Sequence, residues 1–316
     1  MLPAELSPLF DTAPPQEQSP AAPLARFKQQ LTGKASKWIL PLMKRAAGAY
    51  LGGETLDEAL GVAKRLQAEG IACTIGYWDI GPDNTVLGIY RDAIASLAHS
   101  GFDSYLSLKP PALRFSADAA RALGKAAATQ NLRLHCDCHG PEVADRHHAF
   151  AEALLETLPP ERIGIALPGR WQRSLADADW AMARGFNVRV VKGQWPDPAD
   201  RSRDLCDGFL AVIDRLCSGA RHVAVATHDG PLAREAFARL QKAGVSCELE
   251  VLLGYPAKPL LAWAKASGIK TCVYVPYGPG FVPNAIAVLR RNPRLLVAVG
   301  KERATAVAQA IVGLVT

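Results

Sequence analysis

Residues 187–229 read NVRVVKGQWPDPADRSRDLCDGFLAVIDRLCSGARHVAVATHD. Two short Val-rich apolar runs, near 187–192 and 222–227, bracket a segment in which Leu205, Phe209, Val212, Ile213 and Leu216 recur at helical spacing. A strand, a helix and a second strand in this order predict parallel pairing, because the crossover returns the chain to the same end of the sheet. Charged residues sit inside or just beyond the apolar runs: Arg189 and Lys192 in the first, and Thr227-His228-Asp229 closing the second. Charge inside a short buried strand is expensive unless it is paired or used.

The same cycle extends in both directions. Further strand-like runs fall near 71–75, 104–108, 132–137, 162–167, 245–250 and 271–275. Helical patterns lie between them near 117–129, 142–157, 175–184, 231–242 and 258–267, with a last one near 281–291. The helix after the first strand carries Val86, Tyr90, Ala93, Ile94 and Leu97 on one face. Thr55-Leu56-Asp57-Glu58 has the pattern of a capping box, and Ser174-Leu175-Ala176-Asp177 resembles one with Asp in place of Glu. Asp229 is placed to cap the helix that Gly230-Pro231 begins. Eight strands, each followed by a helix, fit an α/β fold of the (βα)8 TIM-barrel type. An open doubly wound sheet shares the alternation, but no G-x-G-x-x-G follows the first strand. Prolines at 3, 8, 14, 15, 20 and 23 mark an N-terminal arm or linker over 1–40, leaving 41–316 for the barrel.

Composition narrows the classes. The net charge of +6 comes from scattered Lys and Arg with no basic run interleaved with aromatics, so nucleic acid is not the expected partner. Peripheral contact with anionic lipids stays open. Seven cysteines, an odd number lying mostly in apolar runs, read as reduced thiols and favour a cytoplasmic home. No signal peptide or stretch of membrane-spanning length is expected.

In a barrel, chemistry collects where strands open into the following loops. Lys109 ends strand two, Asp137 ends strand three, Glu248 and Glu250 share a face of strand seven, and Tyr277 follows strand eight. His135-Cys136-Asp137-Cys138-His139 admits a second reading, as a zinc-dependent hydrolase whose His135, Asp137 and His139 point one way.

Taken in order, these stretches resemble proline dehydrogenase, the flavin barrel also found in bifunctional proline-utilisation proteins. Gly52-Gly53-Glu54-Thr55-Leu56 and Ala68-Glu69-Gly70-Ile71 resemble the family's AGET and AEGI segments. Ser107-Leu108-Lys109-Pro110 resembles S-x-K-x-S, and Asp137 falls on the Asp of DAE, with His139 in place of its Glu. Arg189-Val190-Val191-Lys192-Gly193 is similar to R-L-V-K-G, with Trp195 where a Tyr is usual, and Ala226-Thr227-His228-Asp229 to ATHN. Residues Glu248 to Gly254 resemble EFQMLYG with Glu250 for Gln, and Val273 to Gly278 resemble VYVPYG.

The resemblance implies noncovalent FAD and hydride transfer from the carbon beside a cyclic or secondary amine nitrogen to flavin N5, with a quinone or another acceptor taking the electrons. Carried over by position, Arg189, Lys192, Gly193, Thr227, His228 and Glu248 would serve the cofactor, with Lys109 and Asp137 flanking the substrate. Trp195, Leu252 and Tyr277 would line the substrate side. The pattern fails at the carboxylate grip, Y-x-x-R-R: counted without gaps, its positions hold Asn284, Ala287 and Val288. Arg290-Arg291 follow three residues later, nearly one helical turn along, and stand either as a shifted clamp or as a solvated helix end. Pro168 replaces the family's Gln in strand four. These departures leave room for a non-catalytic descendant that binds flavin or a metabolite.

Overall fold

The computed structural model of the protein describes residues 52–79 and 83–280. The expected arm over 1–40, the expected helix near 281–291, and Arg290 and Arg291 lie outside these residues.

Eight parallel strands close into one barrel in chain order. They are β1 Ala72–Tyr77, β2 Ser104–Leu108, β3 Arg133–Cys136, β4 Ile163–Pro168, β5 Asn187–Val191, β6 His222–Ala226, β7 Ser246–Leu252 and β8 Lys270–Tyr277. The closure is direct, since β1 pairs with β8 from Ala72↔Cys272 to Tyr77↔Tyr277. The open-sheet alternative is thereby excluded. Helix α1 (Leu56–Ala68) precedes β1, and α2 (Val86–Ser100), α3 (Ala117–Thr129), α4 (Ala144–Leu155), α5 (Ser174–Ala183), α6 (Leu205–Leu216), α7 (Gly230–Lys242) and α8 (Lys258–Ala266) follow β1 to β7 in turn.

Local chemistry fixes several helix starts. Thr55 Oγ1 accepts the Glu58 amide and the Glu58 carboxylate accepts the Thr55 amide, the reciprocal capping box the sequence predicts. Asp229 caps α7 by accepting the Leu232 amide at 3.1 Å, and Asp204 caps α6 through the Cys206 and Asp207 amides. The expected box at Ser174 does not form. Ser174 lies inside α5, and its hydroxyl donates to the Pro168 carbonyl at 2.6 Å while Asp177 pairs with Arg173. The Pro168 carbonyl, which also accepts the Trp171 amide at 3.2 Å, outcompetes the local motif for this hydroxyl.

The apolar core is the layer between strands and helices. Leu106, Leu108, Leu134, Val188, Val190 and Val225 pack there against Tyr90, Leu123, Phe150 and Phe209. Period-two alternation therefore sends the intervening residues toward the barrel axis: Thr74, Ser107, His135, Arg189, Glu248 and Glu250, all buried. An interior this polar must be paired internally, and that pairing positions the site.

Candidate active site

At the carboxyl-terminal end of the strands, a hydrogen-bonded cluster is built around Asp137 and Arg189. Arg189 Nη1 donates to Asp137 Oδ1 and its Nε donates to Glu250 Oε2, both at 2.8 Å, and Nη2 lies 3.4 Å from Thr74 Oγ1. Asp137 also accepts from Ser107 Oγ at 2.5 Å and from Tyr274 Oη at 2.8 Å. Trp78 Nε1 reaches Tyr274 Oη at 3.4 Å, and the Lys109 ammonium lies 4.7 Å from the Trp78 ring. Lys109 Nζ donates to the Tyr77 carbonyl at 3.2 Å, and its backbone amide to Tyr90 Oη at 3.0 Å. Burial pushes Lys109 down to about 8, against the pull of Asp137 and Asp79. A lysine so placed can hold or release a proton near neutral pH.

A second group stands beside the first, at the ends of β5 to β7. Lys192, buried, pairs with Asp229 at 3.2 Å. The Thr227 amide donates to the Glu250 carbonyl, and Thr227 Oγ1 accepts the Asp229 amide. His228 Nε2 accepts the Leu252 amide at 2.9 Å. Burial lowers His228 to about 4, so its imidazole is neutral and that nitrogen is a stable acceptor. Gly193 turns the chain after β5 with φ of +100°, and a Cβ there would meet Pro168 Cβ at 2.8 Å. Tyr277, at the end of β8 rather than beyond it, packs 5.4 Å from the Tyr77 ring. Its buried hydroxyl has no hydrogen-bond partner among the described residues.

Lys109, Asp137 and Arg189 thus meet through the bridge of Trp78 and Tyr274, and Lys192, Gly193, Thr227, His228 and Leu252 stand on the adjoining strand ends. Trp195 lies on the loop after β5, where its carbonyl accepts from Trp171 Nε1 at 2.9 Å and its ring is 5.9 Å from His139. His139 stacks on His147 at 5.0 Å, and burial lowers it to about 4, so a neutral ring stands where the resemblance has a carboxylate.

Glu248 does not belong to this site. It is the third residue of β7, in register with Lys270, the first residue of β8. Its carboxylate lies 3.4 Å from Lys270 and 3.5 Å from His222, and Lys270 pairs in turn with Asp103, which also pairs with Arg133. This belt rings the amino-terminal end of the barrel. Burial opposes the Glu248 charge, but His222 and Lys270 overcome it and draw its pKa down to about 2. Its expected role toward the cofactor is replaced by a structural one, because alternation gives a residue's face and not its height along the axis.

Three residues of the site were absent from the sequence reading. Ser107 and Tyr274 stood inside quoted motifs, but only the barrel register aims them at Asp137. Trp78 had no local signal at all.

The zinc reading finds no geometry. Asp137 turns to Arg189 and His139 stacks on His147, while His135 faces a small chamber it shares with Tyr105, Asn187, His222, Glu248 and Glu250. Among the described residues the metal-competent group is Glu248, Glu250 and Cys272, with ligand atoms within 4.8 Å of one another. Its two carboxylates already pair with Lys270 and Arg189.

A flavin fits the donor set found here: a buried guanidinium and ammonium, an unpartnered tyrosine hydroxyl, and a glycine turn that leaves backbone accessible.

No protein-family model matches the chain. It is 25% identical over 253 residues to proline dehydrogenase 1 of Bacillus subtilis subsp. natto, covering 73% of this chain and 82% of that protein. The proline dehydrogenase 1 of Bacillus subtilis strain 168 matches to the same extent. Among solved structures, proline utilization A from Bdellovibrio bacteriovorus, inactivated by N-propargylglycine, superposes with a TM-score of 0.69 at 18% identity over 83% of this chain. Proline utilization A from Bradyrhizobium japonicum gives 0.63 at 19% over 84%. The chain spans about a third of the length of those two solved proteins, 33% and 32%.

Proposed function

We propose that this divergent relative of the proline dehydrogenases is an FAD-dependent oxidoreductase that oxidises proline, or a proline-like cyclic or secondary amine, to the imine. The observation that carries the reading is Lys109, held near neutrality by burial, in the same cluster as the Arg189–Asp137 pair at the carboxyl-terminal mouth of the barrel. FAD, when bound, supplies the hydride acceptor. Arg189 offers positive charge where the reduced ring would carry negative charge, and Lys192, Gly193, Thr227 and His228 flank the remainder of the cofactor. Lys109 Nζ accepts the ammonium proton of the incoming substrate, since the amine must be neutral before its neighbouring carbon can release hydride. Asp137, fixed by Ser107 and Tyr274, favours the protonated form of Lys109 once that proton is taken up.

Trp195, Leu252 and Tyr277 are assigned to the substrate walls, and Arg290 and Arg291 to a shifted carboxylate clamp. Arg291→Ala then raises the apparent substrate constant while leaving bound flavin unchanged; an unaltered constant removes the clamp. A quinone or another acceptor is assigned to take the electrons. The cytoplasm is the assigned compartment, in keeping with seven free cysteines. Among the described residues no helix is long and apolar enough to cross a membrane.

The test is an absorbance spectrum of the purified protein before and after anaerobic addition of proline and its analogues. A flavin spectrum that bleaches with one of them is expected. A coloured protein that no such amine bleaches supports the non-catalytic flavin-binding reading instead, and a colourless protein that takes up no FAD sinks both.

A further inference from the structure

At the centre of the site one contacting cation faces two carboxylates. Arg189 is the cation in contact with two carboxylates, Asp137 at Nη1 and Glu250 at Nε, each at 2.8 Å. Arg189 and Glu250 are 4% and 3% exposed, so water screens neither. Among the described residues no other cation forms an ion pair with either carboxylate. Thr74 of β1, Ser107 of β2 and Tyr274 of β8 bring neutral hydroxyls, and Tyr274 is pushed further from ionisation by its burial. Cys272, opposite Glu250 on β8, is a thiol held protonated by burial. His135 of β3 is held neutral by burial and by Arg189 itself, and Glu248 below is balanced by Lys270 and His222. Lys109 is a further cation: with its pKa at about 8 it stays mostly protonated at pH 7, and its pull acts on Asp137. Two adjacent carboxylates, one of them buried, that share one contacting cation do not both stay ionised at little cost.

The two acids are not equivalent. Asp137 accepts from Arg189, Ser107 and Tyr274, whereas the Glu250 side chain accepts from Arg189 alone among the described residues. Three donors stabilise the charge on Asp137, so the shared proton belongs on Glu250. Burial, followed by Glu248 and Asp137, also raises Glu250 above the ordinary carboxylate range, against the pull of Arg189.

We propose that Glu250 is a proton-bearing carboxyl that sets how much positive charge Arg189 presents to the ligand above it. With Glu250 protonated, Arg189 and Asp137 form a neutral pair. With Glu250 ionised, Arg189 and its two carboxylates together carry one negative charge in excess and repel further negative charge. Placing negative charge at Arg189 therefore draws one proton from solvent onto the Glu250 carboxylate, or keeps one there. Glu250 is thus a positioning residue acting through Arg189. Its coupling to flavin rests on the function proposed above, whereas its protonation does not.

The first measurement uses the protein without added flavin. Infrared spectra across a pH series are expected to show the carbonyl stretch of a protonated carboxyl group at neutral pH, lost in Glu250→Gln and kept in Glu248→Gln. If the Gln variant does not fold, carboxyl-13C labelling of glutamate in the unaltered protein is expected to move the band. No band at pH 6, or a band that glutamate labelling leaves in place, overturns the proposal. The second measurement compares the binding of oxidised and reduced FAD. In Glu250→Gln the preference for reduced over oxidised flavin is expected to rise about tenfold at pH 9, the weight of one pKa unit of coupling, and to match the unaltered protein at pH 6. An equal preference at both values overturns the coupling. Protein that binds no FAD fails the functional reading and leaves the infrared result to decide the protonation.

Discussion

Lys109 is the residue on which the proposed chemistry turns. Its pKa near 8 means that the ammonium form dominates below that value and the free amine above it. An amine is the form that can take a proton from substrate, so the rate of flavin reduction is expected to rise with pH through about 8. Lys109→Ala is expected to lower the rate roughly a hundredfold, the lower range for general-base loss, to remove that pH limb, and to retain bound FAD. Single-turnover reduction followed in the flavin absorbance decides it, and an unchanged rate takes Lys109 out of the mechanism. Glu248 predicts the opposite pattern. Its folded pKa of about 2 lies below the ordinary 4.5, so its stabilisation is complete above 4.5 and is lost as pH falls toward 2. Glu248→Gln is expected to cost roughly 3 kcal/mol at pH 7 and to flatten the acid limb of the stability curve, with flavin content unchanged. Denaturant unfolding at pH 7 and at pH 3 checks both statements. The two residues also mark what was legible at this scale. Lys109, Asp137 and Arg189 could be read because charge is rare in apolar strands. Glu248 was equally rare there, but its height on the barrel depends on the β7–β8 register, which no local pattern encodes.

Among the elements, the junction of β6 and α7 carries two duties in one side chain. Asp229 caps α7 through the Leu232 amide and pairs with Lys192 at 3.2 Å. Asn keeps the cap and removes the charge, whereas Ala removes both. Asp229→Ala is therefore expected to cost about 1 kcal/mol of stability and Asp229→Asn only a few tenths. Both are expected to change FAD affinity alike, because both remove the carboxylate charge beside Lys192. Equal stability losses would show the cap to be idle. A similar test applies in β1, where Gly76 lies against Tyr274: a Cβ there would come 2.1 Å from the hydroxyl. Gly76→Ala is expected to displace Tyr274 from Asp137 and to slow reduction without releasing flavin, as the same single-turnover assay would read. Strand and helix positions were legible at this scale because period and punctuation agreed along the whole chain. The failure at Ser174 came from tertiary structure, since the carbonyl it satisfies belongs to Pro168, on a different element.

For the whole molecule, the barrel makes the site a property of closure. β1 and β8 meet only when all eight strands are in place; at that seam Thr74 reaches Arg189, Tyr274 reaches Asp137, and Trp78 supports Tyr274. The alternation of strands and helices and their count of eight could be read from sequence and pointed to the barrel, but the β1–β8 pairing that closes it is seen only in the structure, because an open sheet has the same local pattern. A ligand held by residues from β2 to β8 binds the closed state alone and must stabilise all of it. At a free concentration one hundred times its Kd, FAD would add about 2.7 kcal/mol, which for a domain of this size raises Tm by roughly 5–10 °C. Riboflavin lacks the pyrophosphate, so it is expected to give a smaller rise at the same concentration if Lys192 and its neighbours serve the phosphates. Calorimetry on flavin-stripped protein separates the outcomes. Equal shifts from the two ligands would leave the ring site at Arg189 and take Lys192 out of phosphate binding. No shift from either would mean that the cluster of Asp137, Arg189 and Glu250 holds the barrel together without holding a flavin.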